Sequence, residues 1–332
     1  MKDTVKNIYP LGFPWQTQDP FLFCVYHQDH YPKGNEEMGP AASLEGRNLG
    51  NDFTIKDGWR MYHGQTIPGF PYHPHRGFET ITIVNKGYCD HSDSLGAAGR
   101  FGEGDVQWMT AGRGVQHSEM FPLLKTEEDN PLELFQIWLN LPKANKFVDP
   151  HFAMLWHEDI PVVQANGTYV KVMAGTFKGN NAPKPAPNSW AADPENEVAV
   201  WNIHLDPNTE FVLPSSNKEV HRSLYFYEGD QCTVGNENIS QNYGIDLQSD
   251  QEVLIKSGPK KASFLMLQGR PINEPVAKYG PFVMNTDQEI QQAMQEYQLT
   301  QFGGWPWPYS DNVHDRKKGR FAQYPDGTLV EK

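Results

Sequence analysis

Gly, Pro, Asn and Asp cut this chain into short runs of β-branched and aromatic residues, and that punctuation constrains the fold more than any other feature. Within residues 52–141 the runs "FETITIV", "DVQWMT" and "LELFQIWLNL" are separated by turn-rich stretches such as "NKGYCDHSDSLGAAGRFGEG". A second set comprises "YVKVMAGTF" and, after the Pro-, Asn- and Lys-rich interruption "KGNNAPKPAPNS", "EVAVWNIHL", "SLYFYEGD", "QEVLIKSG" and "ASFLMLQG". Strands of this length and rhythm build barrels or sandwiches. The chain therefore reads as all-β, with two similar units in tandem over residues 1–145 and 146–298 and a tail at 299–332.

One helix is expected. In "NTDQEIQQAMQEYQ", Thr286 and Glu289 have capping-box spacing, and Ile290, Ala293, Met294 and Tyr297 recur at helical period. Such a helix should dock on one of the β units. Beyond it the chain loses periodicity but keeps Trp305, Trp307, Phe321 and Tyr324, which predicts a packed tail rather than a disordered one.

Charge narrows the function. Lys and Arg number 28 against 41 Asp and Glu, and a net charge of −13 repels a phosphate backbone. The compact basic run "HDRKKGRF" reads as a solvated tail, so no direct nucleic-acid binding is expected. The N-terminus lacks an apolar signal core, and no apolar stretch approaches the roughly 18 residues of a membrane span. The expectation is a cytoplasmic protein with no membrane association. Cys24, Cys89 and Cys232 are odd in number and lack C-x-x-C spacing, which argues against a disulfide framework or a thiolate zinc site.

The stretch "FPYHPHRGFETITIV" places His73 and His75 two apart, so on a strand both imidazoles leave the same face. Glu79 shares their parity. In "GDVQWMTAGRGVQHSEMF", His117 and Glu119 repeat the i, i+2 spacing. If both strands lie in one barrel with these faces inward, three imidazoles and a carboxylate converge, a set suited to Fe, Mn, Ni, Cu or Zn. Spacing alone leaves Glu79 and Glu119 in competition as the carboxylate. A lone histidine on a strand is more often a hydrogen-bonded core or surface residue than a ligand. His27, His30, His63, His91, His151, His157, His204, His221 and His314 take that reading.

"HPHRGFETITIV" followed by "GDVQWMTAGRGVQHSE" resembles the pirin family of the cupin superfamily, and "GRPINEPVAKYGPFVMNTDQEI" is similar to the pirin C-terminal signature. The likeness runs from about residue 15 to 300. It implies a bicupin of two β-barrels, an N-terminal one that binds the metal and a C-terminal one with no metal site. The family's metal ligands fall on His73, His75, His117 and Glu119, and its pattern makes Glu79 no ligand. The second motif departs from the general cupin pattern by lacking its proline and ending His-Ser-Glu, which is the pirin version. In the second barrel, "NKEVHRSLYFYEGD" keeps the strand and glycine turn of a first cupin motif without His-x-His, leaving His221 as a remnant.

The resemblance also implies chemistry. One divalent transition metal, Fe(2+) first, held by three His and one Glu would keep coordination positions open for a chelating substrate and O2. Some pirins resemble quercetin 2,3-dioxygenases, which open a flavonol ring with loss of carbon monoxide. Glu119 is then the candidate for both ligand and catalytic general base, taking the flavonol 3-hydroxyl proton. Arg76 and Arg113 could hold anionic substrate groups or form structural salt bridges. The rival reading is a non-enzymatic iron-binding regulator that senses redox state and acts through a protein partner, since one fold supports many functions. A zinc-dependent hydrolase or isomerase is a third. Barrels that cover each other's open faces would make the protein a monomer.

Overall fold

A computed structural model of the protein describes residues 4–332. It is mostly β-sheet with a single α-helix among the described residues, Asp287–Thr300. The chain packs into two compact units that are discontinuous in sequence. One takes the residues up to Val25, Ile137–Asn140 and Glu158–Asn273; the other takes Tyr26–Gln136, Leu141–His157 and Glu274–Lys332. Cuts at 145 and 298 follow the order of the apolar runs, whereas the compact units follow packing. The helix and tail return to the unit built from residues 26–136.

In the unit containing residues 158–273, the strands Tyr243–Leu247, His221–Glu228, Ala262–Gly269, Ala199–Leu205, Thr168–Ala174 and Val162–Ala165 are neighbours in one antiparallel sheet. A smaller sheet orders Glu210–Leu213, Val253–Ser257, Gln231–Val234 and Glu237–Ser240. Alternation decides which side chains go inside. Ala199, Trp201, Ile203 and Leu205 all enter the apolar core, as do Leu224 and Phe226 from the neighbouring sequence run.

The unit containing residues 26–136 has a sheet in the order Leu329–Glu331, Phe321–Gln323, Ala98–Gly102, Tyr88–Asp93, Val115–Met120 and Gly69–His75. In its second sheet, Phe78–Lys86 pairs with Val106–Thr110, which pairs with His151–Leu155. Phe101, Phe121, Leu134, Phe152 and Trp156 belong to its apolar core. The helix is capped as its sequence predicts: the Thr286 side chain accepts from the Glu289 backbone, and Glu289 reaches back to the Thr286 N–H. Ile290 and Ala293 are buried in a cluster with Phe282, Met284 and Phe302. All three cysteines are buried free thiols, and no helix among the described residues is long and apolar enough to cross a membrane.

The tail is packed. Phe321–Gln323 adds a strand beside Ala98–Gly102, with Phe321 opposite Arg100. Arg100 is fully buried and grips Asp90 with two hydrogen bonds of 2.7 Å. Its remaining donors reach the backbone oxygens of His314, Asp315 and Lys318 at 2.7–2.9 Å. One guanidinium thus ties the tail to the sheet. Arg100→Met should strand the buried Asp90 carboxylate and cost about 3–5 kcal/mol, the usual penalty for removing one partner of a buried ion pair. Urea unfolding measures that loss, and limited proteolysis should show cleavage after Gly304 that the parent protein resists. Unchanged stability and unchanged protection of the tail would show that Arg100 is not the clamp.

Candidate metal centre

Strands Gly69–His75 and Val115–Met120 pair antiparallel with His73 opposite His117 and His75 opposite Val115. A bulge between Phe70 and His73 re-phases the first strand, so that Phe70 faces Glu119 while the histidine pair stays in register. Gly77 then turns the chain at φ +86°; a Cβ there would lie 1.9 Å from the Val283 carbonyl oxygen, so the turn that follows the first histidine pair admits only glycine.

The result is convergence. His73, His75 and His117 each offer an imidazole nitrogen, and these nitrogens lie within 4.8 Å of one another. His117 Nε2 is 3.1 Å from His73 Nε2 and 3.6 Å from Glu119 Oε2. The Pro71 carbonyl accepts from His73 Nδ1 at 2.9 Å, which places the proton on Nδ1 and leaves Nε2 with a lone pair directed at the cluster. Glu79 accepts a 2.7 Å hydrogen bond from Thr110 Oγ1 on the neighbouring strand. Neither Glu79 nor Glu119 belongs to the mutually close group of ligand-type atoms, which comprises His73, His75 and His117; Glu119 stands beside it, 3.6 Å from His117 Nε2.

Electrostatics favour ligation over protonation. Burial holds His73 down to about 4, and burial together with the neighbouring imidazoles holds His75 and His117 well below the usual range. All three are neutral near pH 7. Burial also raises Glu119, opposed by His91 and by hydrogen bonds from Gln136 and Thr82. Thr82 Oγ1 donates to Oε1 at 3.1 Å and Gln136 Nε2 donates to Oε2 at 2.5 Å, so both carboxylate oxygens are oriented. Two neutral imidazole nitrogens this close need a shared proton or a shared cation, and a nitrogen-rich set with one hard oxygen suits a borderline transition metal. The residues present therefore fit the group.

Some neighbours escaped the sequence reading. His91 is fully buried, stands opposite Glu119 in the sheet, and has its ring 5.4 Å from that of His117. Its Nε2 lies 3.2 Å from Asp93 Oδ2. The i, i+2 spacing of His91 and Asp93 was its only local signal. Thr82 and Gln136 carry none, because pairing across strands alone brings them to Glu119. Both motif arginines form ion pairs: buried Arg76 pairs with Glu296 at 2.8 Å and donates to the Arg113 carbonyl, while Arg113 pairs with Asp149 at 3.0 Å in solvent. In the other unit, His221 Nδ1 is 2.8 Å from the Asp19 carbonyl, and no cluster of ligand-type side chains among the described residues includes it.

Residues 13–139 match the Pirin family and residues 200–303 match the Pirin C-terminal cupin domain. The human protein named pirin is 33% identical over 248 residues, covering 73% of this chain and 80% of its own length. A Pseudomonas aeruginosa protein named "Putative quercetin 2,3-dioxygenase" is 36% identical over 236 residues, covering 70% of this chain and 79% of its own. The solved structure of a quercetin 2,3-dioxygenase from Acinetobacter baumannii superposes with a TM-score of 0.69 at 26% identity, covering 91% of this chain and 96% of that one. The two units are thus cupin-type domains, and the chain belongs to the pirin family of bicupins.

Proposed function

We propose that His73, His75, His117 and Glu119 hold one divalent transition metal, with Fe(2+) first and Mn, Ni, Cu or Zn as alternatives, and that the site catalyses quercetin 2,3-dioxygenase-type cleavage of a flavonol or similar enediol-like substrate with O2. The observation that carries this reading is the cluster of three neutral imidazoles, two buried and one half-buried, beside an oriented carboxylate. A redox-active metal bound there would supply the electron path between organic substrate and O2 that ground-state O2 lacks.

The chain's own residues supply position and proton transfer. Pro71 fixes the His73 tautomer, and Thr82 and Gln136 hold the Glu119 carboxylate. The carboxylate stands beside the imidazole cluster with both oxygens oriented, which places it to take a proton from a weakly acidic hydroxyl. The flavonol 3-hydroxyl loses its proton to Glu119 Oε2, and the electron pair stays on the substrate oxygen. His73 keeps a solvent-facing edge and lies 6.3 Å, ring to ring, from Phe70, which packs with Phe53 and His63. An aromatic margin of this kind suits a planar, polyphenolic substrate.

Elemental analysis should find about one transition metal per chain, because a single imidazole cluster of this kind lies among the described residues. His73→Ala with His117→Ala should abolish tight binding, and His221→Ala should leave metal content unchanged. Two metals per chain, or loss of metal on changing His221, would refute the assignment.

Glu119→Gln keeps the size and an oxygen donor but removes the base. The metal-loaded variant should still bind flavonol and cleave it at least about 100-fold more slowly, the lower end for losing a general base. Anaerobic spectra should show ionised flavonol in the parent protein and neutral flavonol in the variant. Equal turnover by the metal-loaded variant removes Glu119 from the base role. A metal-loaded parent protein that releases no carbon monoxide from any of several flavonols favours a metal-binding regulator instead.

A further inference from the structure

Among the described residues the second cupin domain has no imidazole cluster, but the inward-facing end of its sheet is not empty of chemistry. Leu224 and Phe226 on His221–Glu228 point into the core, and by alternation so does Arg222. The same parity brings Gln268 inward after Phe264 and Met266, and Trp201 inward beside Ala199. Register stacks them: Arg222 and Ala199 both face Gln268, and one layer deeper Leu224 and Trp201 both face Met266. Above this end lies a cavity of about 550 Å³, whose lining includes Trp201, Arg222 and Gln268. That volume is within the range of small-molecule sites, and barrel mouths are a favoured place for them.

The polar groups at the floor are donors that protein acceptors only partly satisfy. Arg222, 2% exposed, gives its Nε and Nη2 to Gln268 Oε1 and its Nη1 to the Pro214 carbonyl at 2.6 Å. Each Nη is an NH2 group, so each keeps a second N–H. The acceptors are neutral, and among the described residues no carboxylate is hydrogen-bonded to this guanidinium. Burial pulls Arg222 down to about 10, opposed by Glu197, so it stays charged at neutral pH. Trp201 Nε1 is buried with no hydrogen-bond partner among the described residues.

The lining also contains two carboxylates. Glu197 turns its Oε2 to the Ser216 hydroxyl and the Asn217 N–H, and exposed Asp193 accepts from the Glu195 N–H, with exposed Lys184 as a counter-charge. Much of the remaining wall is alanine and proline, including Ala182, Pro185 and Pro214. These offer apolar contact without donors.

We propose that this cavity is a second ligand site, which takes a small organic monocarboxylate with a compact apolar body. The carboxylate accepts from the free N–H groups of the Arg222 fork and from Trp201 Nε1, and the body fills the proline- and alanine-lined space. Paired N–H donors on a planar guanidinium match the two oxygens of a carboxylate. The site is independent of the metal centre's chemistry.

Calorimetry on the metal-loaded full chain tests this with benzoate as the probe and benzamide as its neutral isostere. Benzoate should bind one site per chain, with benzamide at least about tenfold weaker for loss of the charge-assisted bonds. Trp201→Phe keeps an aromatic ring and removes the N–H; it should weaken benzoate several-fold and leave metal content unchanged. Arg222→Gln should abolish the preference for benzoate over benzamide. If Arg222→Gln fails to fold, the parent-protein comparison and Trp201→Phe still decide. No benzoate binding, equal binding of benzamide, or benzoate affinity untouched by Trp201→Phe would each overturn the proposal.

Discussion

The antiparallel register between Gly69–His75 and Val115–Met120 is the constraint on which the candidate centre depends. With His73 opposite His117, three imidazoles converge and Glu119 lies beside them, 3.6 Å from His117 Nε2. A slip of one residue would turn His117 and Glu119 outward and bring Gln116 and Ser118 in, because side chains alternate with period two. The bulge between Phe70 and His73 absorbs the irregularity without disturbing the histidine pair.

That register is held from the opposite face of the same sheet. Asp90, Ser92 and Gln116 alternate with His91, Asp93 and His117, and the outward set receives the tail. Arg100 clamps Asp90 and the tail's carbonyls, Asn312 donates to Ser92 at 2.8 Å, and Gln116 donates to the Gln301 carbonyl at 2.7 Å. Tyr72 donates its backbone N–H to the Ser310 carbonyl, beside His73. The tail therefore stiffens strands whose other side carries the candidate ligands, a supporting role for residues most of which, Ser310, Asn312 and His314 among them, lie beyond the stretch matching the Pirin C-terminal cupin domain.

The two cupin domains settle the same physical problem differently. Polar groups at the inner end of a barrel are costly unless something satisfies them. In one domain, buried imidazoles are kept neutral and turned toward a common point. In the other, a guanidinium is braced by a glutamine and a backbone carbonyl, leaving donors over. A nitrogen-ligand cluster suits a cation, whereas surplus N–H groups suit an anion, so the two proposed sites are of opposite character.

Local periodicity made much of this legible in the sequence. The strand runs, the Thr286–Glu289 capping box and the two i, i+2 dyads each depend on neighbours a few residues apart, where alternation or helical spacing dictates direction. The family resemblance singled out Glu119 over Glu79; in the structure Glu79 is bonded to Thr110, and Glu119, held by Thr82 and Gln136, lies beside His117. Tertiary structure alone decided the rest. Thr82 and Gln136 meet Glu119, His91 stands behind His117, and Arg222 meets Gln268 through pairing between strands distant in sequence. The discontinuous units and the tail's position have the same origin, for which elements pack together is set by long-range burial and strand order, and no local spacing encodes either.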